Sequence, residues 1–578
     1  MSSLYTDEKN VQIIISLLKA HNIRKVVASP GTMNVTFIGS IQDDDFFEIY
    51  SSVDERSAAY IACGLAAESG EPVVITCTGA TASRNYMPGL TEAYYRKLPI
   101  LALTATPPIE RIGNNLPQII DRTNQLNDTF VKSFFVNFIN TIEDENSCIN
   151  SVNDALLTLR RNGCGPVNIN YVSFASRNFN VKELPNVRKI ERYNTEDNLP
   201  EFVNKKVGIF IGAHNKMSDL LLEKIDEFCE KYNSVVLCDQ SSNYNGRYGI
   251  SASLIMQQDA YVSPCNNFDI IIDIGEISGS YIKFLTKESW RISLDGEIKH
   301  RNYPITKVFE MSEEFFFASY TKMKDTNSDM ALYSKWLKED KEFRENIPEL
   351  PFSNVWIAQN MYYKIPNNSN IYLGILNTLR SWNYCPLLKN HNVYCNTGGF
   401  GIDGTISSAL GVSLASKNTS YCICGDLAFF YDMNCLGNRF INNNMRIMVI
   451  NNGKGTEFRN YSHMASQFGE KADKYIAAGG HYGNKSRTLI KNYCENLGFK
   501  YISASNKQEF NEQVEAFINE SDKSHPIVFE IFTDSESESV ALKQIRTIKQ
   551  SLKGKIKEKI GKSFNDETKE KIKKIIGR

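Results

Sequence analysis

The sequence predicts an α/β protein of three doubly wound parallel-sheet domains in series, with a basic helix appended at its C-terminal end. Three observations carry that reading. At 578 residues the chain is too long for one hydrophobic core. Short apolar runs of strand length alternate with segments of helical apolar spacing, the pattern of parallel sheets covered on both faces. The composition also shifts at two stretches rich in charge, 188–199 and 322–340, and again near residue 541. The expected domains are 1–187, 188–345 and 346–540, followed by a tail over 541–578.

Taken in order, Val11–Ala20 repeats apolar residues at helical spacing, Lys25–Ala28 is a short strand, and Ser29-Pro30-Gly31 turns the chain. Ser57–Ala67 is a helix of small residues, and Pro72–Cys77 is a buried strand ending at Thr78-Gly79. Ile100–Thr104 is a strand stopped by Pro107-Pro108, and Arg188–Leu199 reads as a linker. Beyond it Lys206–Ile211, Ser234–Cys238, Phe268–Ile274 and Trp290–Leu294 are strands, with a helix over Ser218–Tyr232. In the third domain Asn392–Cys395, Thr419–Cys424 and Arg446–Ile450 are strands and Ser407–Ala415 is a helix. The tail holds thirteen Lys/Arg against four Asp/Glu, and Leu542, Ile545, Ile548, Leu552, Ile556 and Ile560 form one helical stripe. Such a helix packs its stripe on its own subunit; peripheral contact with an anionic membrane is the alternative.

Apolar content of 42% and charged content of 23% are those of a globular protein, and a net charge of −1 gives no argument for nucleic acid. The thirteen cysteines are scattered without metal-binding spacing, and their odd number suits a reducing cytoplasm. Residues 1–10 are polar, without a signal-peptide core, and no run approaches the ~20 apolar residues of a membrane span. A cytoplasmic, soluble protein is expected.

Two acidic landmarks about 370 residues apart carry the chemistry: Asp54-Glu55-Arg56-Ser57, and Gly425-Asp426-Leu427 leading to Asn451-Asn452. Asp426 and Asn452 are 26 residues apart, with a strand, a helix and a second strand between. That layout sets a carboxylate and an amide oxygen side by side at the carboxyl edge of a parallel sheet. A divalent ion held there clamps a diphosphate against a helix N-terminus. This resembles the diphosphate and magnesium motif of the thiamine-diphosphate enzymes. The resemblance makes Glu55 the carboxylate that binds the cofactor's pyrimidine ring and favours the tautomer that removes the thiazolium proton.

Over both outer domains the chain is most similar to the SEPHCHC synthases of menaquinone biosynthesis. The similarity is carried by Asp54–Ala59, Cys77–Ala82, Leu116–Asp121, Gly401–Gly404 and Gly425–Asn434. It implies that Asp426, the Asn452 side chain and the Lys454 carbonyl are magnesium ligands. It also implies that Ile402 props the bent cofactor and that Gln118 acts at the reacting centre. Thr78, Gly79, Gly425 and Leu427 complete the cofactor site, Leu427 standing where most of the superfamily has glycine.

The departures lie on the substrate side. Thr32-Met33, Pro107, Thr397 and Trp382 stand where those synthases use a serine–arginine pair and further arginines. A two-pronged arginine–carboxylate contact is not replaced by Met, Pro or Thr. Arg84, Arg111, Arg380, Arg459 and His463 are the available replacements, and the loop Gly453–His463 is the best place for substrate choice. The expected activity is decarboxylation of a 2-oxoacid with thiamine diphosphate and Mg²⁺, the enamine then being protonated or passed to a carbonyl or enol acceptor. SEPHCHC synthase, acetolactate synthase-like and phosphonopyruvate decarboxylase-like chemistry are the alternatives, and an inactive cofactor-binding scaffold is the rival of another class. The resemblance also implies dimers or tetramers, with each site shared between two chains.

Overall fold

The computed structural model describes residues 4–201, 204–301, 303–323, 331–481, 485–521 and 524–551. Two compact units are formed, one of residues 1–197 with 294–299 and 305–310, the other of 198–293, 300–304 and 311–578.

In the first unit β1 (Lys25–Ala28), β2 (Glu48–Ser51), β3 (Val73–Cys77), β4 (Ile100–Thr106), β5 (Lys132–Val136) and β6 (Val167–Val172) build one parallel sheet, ordered β2-β1-β3-β4-β6-β5. β4 runs two residues beyond the expected Thr104 because Thr106 still pairs with Val172. Helix α1 (Lys9–Ala20) buries Val11, Ile14, Leu17 and Leu18, as its spacing requires. Helix α2 (Glu55–Ser69) is started by Asp54, whose carboxylate accepts the N–H groups of Arg56 at 2.8 Å and Ser57 at 3.2 Å. Ala58, Ala59, Ala62, Cys63 and Ala66 are its buried face; Tyr60 and Ile61 remain exposed.

The expected linker at 188–199 contains a strand, Glu191–Tyr193, paired in parallel with Lys307–Glu310. Tyr193 stacks on Phe309 with ring centroids 5.2 Å apart, and Arg192 Nε donates to Glu310 Oε2 at 2.5 Å. Three residues are too few to show a period of two, so partners distant in sequence decide this strand.

The second unit carries two sheets. β7 (Val207–Ile211), β8 (Val235–Cys238), β9 (Gly249–Ser251), β10 (Phe268–Ile274) and β11 (Thr286–Ser293) pair in parallel in the order β9-β8-β7-β10-β11. Helix α3 (Asp219–Tyr232) follows β7, capped by Ser218 Oγ on the Leu221 N–H at 3.1 Å. β12 (Asn370–Leu373), β13 (Asn392–Tyr394), β14 (Ser420–Gly425), β15 (Met445–Asn451), β16 (Lys500–Ala504) and β17 (Ile527–Phe532) form the other sheet, ordered β13-β12-β14-β15-β17-β16. Helices α4 (Thr405–Ala415) and α5 (Asp426–Asp432) flank β14. One apolar cluster, from Phe210 and Leu237 through Leu373 and Ile450 to Ile545, joins the two sheets.

The last described helix, α6 (Ser535–Ile545), buries Leu542 and Ile545, and Ile548 packs on the same cluster. Among the described residues the stripe is therefore helical only as far as Ile545. Its terminal carbonyls are taken by another segment: Gln258 Nε2 donates to Ile545 O at 2.7 Å and Asp259 N to Arg546 O at 2.9 Å. Leu552, Ile556 and Ile560 lie outside the described residues. Among the described residues no helix is long and apolar enough to cross a membrane.

Candidate active site

In an open parallel sheet the strand order reverses between two strands whose connections leave in opposite directions, and ligands settle there, beyond the carboxyl ends. In the third sheet those strands are β12 and β14, and β14 delivers Asp426 as the first residue of α5. Asp426 is 3% exposed. Burial pushes its carboxyl up to about 7, against the backbone N–H groups of Leu427 and Gly453, while Glu530 adds to the rise.

β15 runs alongside and ends at Asn451, whose Nδ2 donates to Glu530 Oε1 at 2.6 Å and whose Oδ1 accepts the Gly453 N–H at 3.2 Å. Asn452 Oδ1 is buried without a hydrogen-bond partner. A buried carboxylate and a buried amide oxygen with nothing to accept are the donor types a hard cation takes. Asp426 and Asn452 therefore fit magnesium. The Lys454 carbonyl accepts the Thr456 N–H at 2.9 Å and keeps a second lone pair.

The Lys454 side chain turns elsewhere: its Nζ bonds Asp473 Oδ2 at 2.6 Å, and Arg459 Nη1 bonds Asp473 Oδ1 at 2.5 Å. Burial works against that carboxylate, yet the two cations together hold it below its usual range. The rest of the loop is tied to the helix Asn377–Asn383. Asn377 Nδ2 donates to Thr456 Oγ1 at 3.0 Å, Asn460 Nδ2 to Asn377 Oδ1 at 3.1 Å, and Arg380 pairs with Glu457. His463 Nδ1 accepts the Ala465 N–H at 3.0 Å, and its ring meets Phe458 edge-on. Thr397 is buried, its N–H on Cys395 O at 2.8 Å, and Ile402 is half-buried against the cores on both sides of the sheet. Gly425 and Leu427, either side of Asp426, are half-buried. Arg380, Phe400, Lys283, Tyr281, Asp259 and Arg546 are among the walls of a cavity of about 640 Å³ in this unit.

In the first unit the corresponding reversal lies between β1 and β3. The turns after them meet closely: a Cβ on Gly31 would stand 2.6 Å from Thr78 Cβ, and one on Gly79 would stand 3.1 Å from Ala105 O. Only glycine lets these backbones approach. Glu55, half-buried at the head of α2, lies near enough to act electrostatically on Cys77 and Tyr86, so it shares this edge with Thr78 and Gly79. Gln118 is exposed with φ +61°, a left-handed strain of the kind that collects at functional loops. Arg111 ends a 3₁₀ turn, Ile109–Arg111, in the open; Thr32 is exposed, while Met33 packs on the core. Arg84 Nη2 donates to Asp121 O at 2.8 Å.

Sequence reasoning missed Glu530, Asp473 and Arg122, and it did not foresee that Arg380 pairs with Glu457. Glu530 left a signal, being the one acid in the apolar strand Ile527–Phe532. The others depend on contacts no local pattern reports.

A pair of sheets of one strand order, one bearing a glutamate at a helix head and the other a buried aspartate beside an unpartnered amide oxygen, resembles the plan of a thiamine-diphosphate enzyme. Residues 9–126 match the N-terminal TPP-binding domain of thiamine pyrophosphate enzymes and residues 377–531 the C-terminal TPP-binding domain. The chain belongs to this family. It is 30% identical over 564 residues to the 2-succinyl-5-enolpyruvyl-6-hydroxy-3-cyclohexene-1-carboxylate synthase of Bacteroides thetaiotaomicron, covering 93% of this chain and 98% of that one. The proteins of that name from Bacteroides fragilis and Phocaeicola vulgatus are each 29% identical over 566 residues, covering 93% and 94% of this chain and 99% and 98% of theirs.

Proposed function

We propose that this protein is a Mg²⁺-dependent 2-oxoacid decarboxylase or carboligase of the thiamine-diphosphate family. The observation that carries the metal is the orphaned Asn452 Oδ1, next in chain to Gly453, whose N–H reaches the buried Asp426. Bound thiamine diphosphate supplies a carbon nucleophile and an electron sink for the carbanion left when carbon dioxide departs. Asp426, Asn452 and the Lys454 carbonyl would hold the metal, and the backbone N–H groups at the start of α5 would face the diphosphate. Glu55 would hold and pass the proton at the pyrimidine end, with Thr78 and Gly79 lining that end and Ile402 supporting the cofactor. Gln118 donates to the reacting carboxyl or carbonyl oxygen.

On the substrate side the reading favours a 2-oxoacid smaller than the pair used by the named relatives. Arg380 and Arg459 already answer to Glu457 and Asp473, so they do not restore the positive charge missing at Met33, Pro107 and Thr397. Arg111, Thr32 and His463 are left to meet the substrate or acceptor. A second reading, the synthase reaction itself, is favoured by similarity running through 93% of the chain. A panel of 2-oxoacids, assayed for carbon dioxide release with and without aldehyde and enol acceptors and with product mass spectrometry, separates the two. Turnover of 2-oxoglutarate with isochorismate would select the second.

We also infer self-association, with Glu55 of one chain serving the clamp of another. The exposed Tyr60 and Ile61 on α2, just beyond Glu55, support it. An active monomer by light scattering would sink this. A cytoplasmic setting suits the thirteen cysteines, all free and most of them buried.

A further inference from the structure

Below the Thr78–Gly79 turn the first sheet becomes polar where parallel sheets are usually apolar. β4 and β6 pair with Ala102 opposite Asn168 and Thr104 opposite Asn170, all four on one face. Thr104, Asn168 and Asn170 are 2%, 2% and 4% exposed. Thr104 Oγ1 donates to Asn170 Oδ1 at 2.8 Å, and Asn168 Nδ2 to Ser133 Oγ at 2.8 Å. Over this face lies a cavity of about 10 Å³, whose lining includes Ser83, Arg84, Thr104, Arg122, Gln125 and Asn170. That is room for a single water-sized occupant.

Arg122 is what makes the cavity unusual. It is 6% exposed; its Nη2 donates to Ala105 O at 3.1 Å, and its Nη1 is buried with no hydrogen-bond partner. Burial pulls its pKa down to about 10, the nearby Arg84 guanidinium pushes the same way, and among the described residues no carboxylate bonds to it. Asp121, next in sequence, instead accepts the N–H and hydroxyl of Thr123 at 2.9 and 2.6 Å. Arg84 adds a second guanidinium whose bond goes to a backbone carbonyl, Asp121 O. A buried cation without a counter-charge is among the least favourable arrangements a protein interior holds. A water would fill the space and leave the charge unbalanced.

We propose that this cavity is a binding site for one small monatomic anion, a halide such as chloride, held by Arg122 Nη1. Its size excludes phosphate and carboxylate ligands. The ion would anchor the base of the loop that carries the strained Gln118, four residues before Arg122. This inference concerns the first unit alone and does not depend on which substrate the enzyme takes.

Bromide is the probe. Crystals of the full-length protein soaked in bromide should show an anomalous peak within hydrogen-bond distance of Arg122 Nη1. In solution, replacing a glutamate salt by chloride at constant ionic strength should raise the Tm of the wild type by about 2 °C or more. Arg122→Gln should lose that response, and Arg122→Lys should keep part of it. A cavity without an anomalous peak, or an unchanged chloride response in Arg122→Gln, would overturn the proposal. If Arg122→Gln does not fold, the bromide map of the wild type decides by itself.

Discussion

Arg380 grips Glu457 with both arms, Nη1 to Oε2 at 2.6 Å and Nη2 to Oε1 at 2.9 Å. The pair joins the helix after β12 to the loop that follows the cation clamp, and both side chains are mostly shielded from solvent. Removing one partner leaves the other's charge half-buried and releases the loop. Glu457→Gln should therefore raise KM at least several-fold while leaving thiamine-diphosphate affinity near wild type. Steady-state kinetics beside cofactor calorimetry checks this, and equal losses in both would place the pair in the cofactor site itself.

Asp426→Ala should remove the one charged ligand of the clamp, and Asn452→Ala its amide oxygen. In calorimetry with saturating Mg²⁺ each should weaken cofactor binding by roughly 10–100-fold or more. The metal-free Asn452→Ala protein should be no less stable than wild type, because an unbonded buried oxygen is taken away. A marked drop in its Tm without cofactor would contradict the orphan assignment.

Glu55→Gln should bind the cofactor nearly as well as wild type and lose about 10²–10⁴-fold in kcat, the usual worth of a positioned proton carrier. An inactive scaffold would show no turnover to lose. Stopped assays over 2-oxoacids, run beside the wild type, make the comparison.

Glu538 offers a pH signature. Burial raises its carboxyl to about 7, with Asp534 and Asp426 adding to the rise, while the Thr533 hydroxyl and the Asn354 N–H oppose it. Its folded pKa lies above the unfolded value, so the native state holds a proton that the unfolded chain releases first. Stability is full below about pH 4.5 and falls as pH rises to about 7, by about 3 kcal/mol at most from this group. In Glu538→Gln that part of the slope should vanish. Denaturant unfolding of the cofactor-free protein between pH 5 and 8 measures it.

Isochorismate with 2-oxoglutarate should be a poor substrate pair. Each absent charge-assisted contact is worth about 1.5–3 kcal/mol, and two lost without replacement mean roughly a hundredfold or more in specificity. Restoring one arginine, as Thr397→Arg, should improve that reaction if the site still has the shape for it. Equal rates for this pair and for pyruvate in the wild type would remove the argument.

The sheets were legible because parallel strands are continuous apolar runs: Lys25–Ala28 and Phe268–Ile274 have in the structure the bounds their sequence suggests. Asp426 and Asn452 were legible by spacing. The partners of Lys454 and Arg459 were not, since Asp473 meets them only after the loop closes on itself. Nor was it legible that Asp121, next to Arg122 in sequence, gives its carboxylate to Thr123 instead. Local pattern reports which face is buried; it does not report which charges share that burial.

The first and third sheets repeat one strand order, the second strand outermost beside the first and the last two exchanged. On the proposed reading one strand order serves twice, once toward the cofactor's ring and once toward its diphosphate. Each copy reserves the same crevice for its task, so the rest of its loops are released from holding the cofactor. On that reading, change at Met33, Pro107 and Thr397 alters the choice of substrate and leaves the cofactor's chemistry in place.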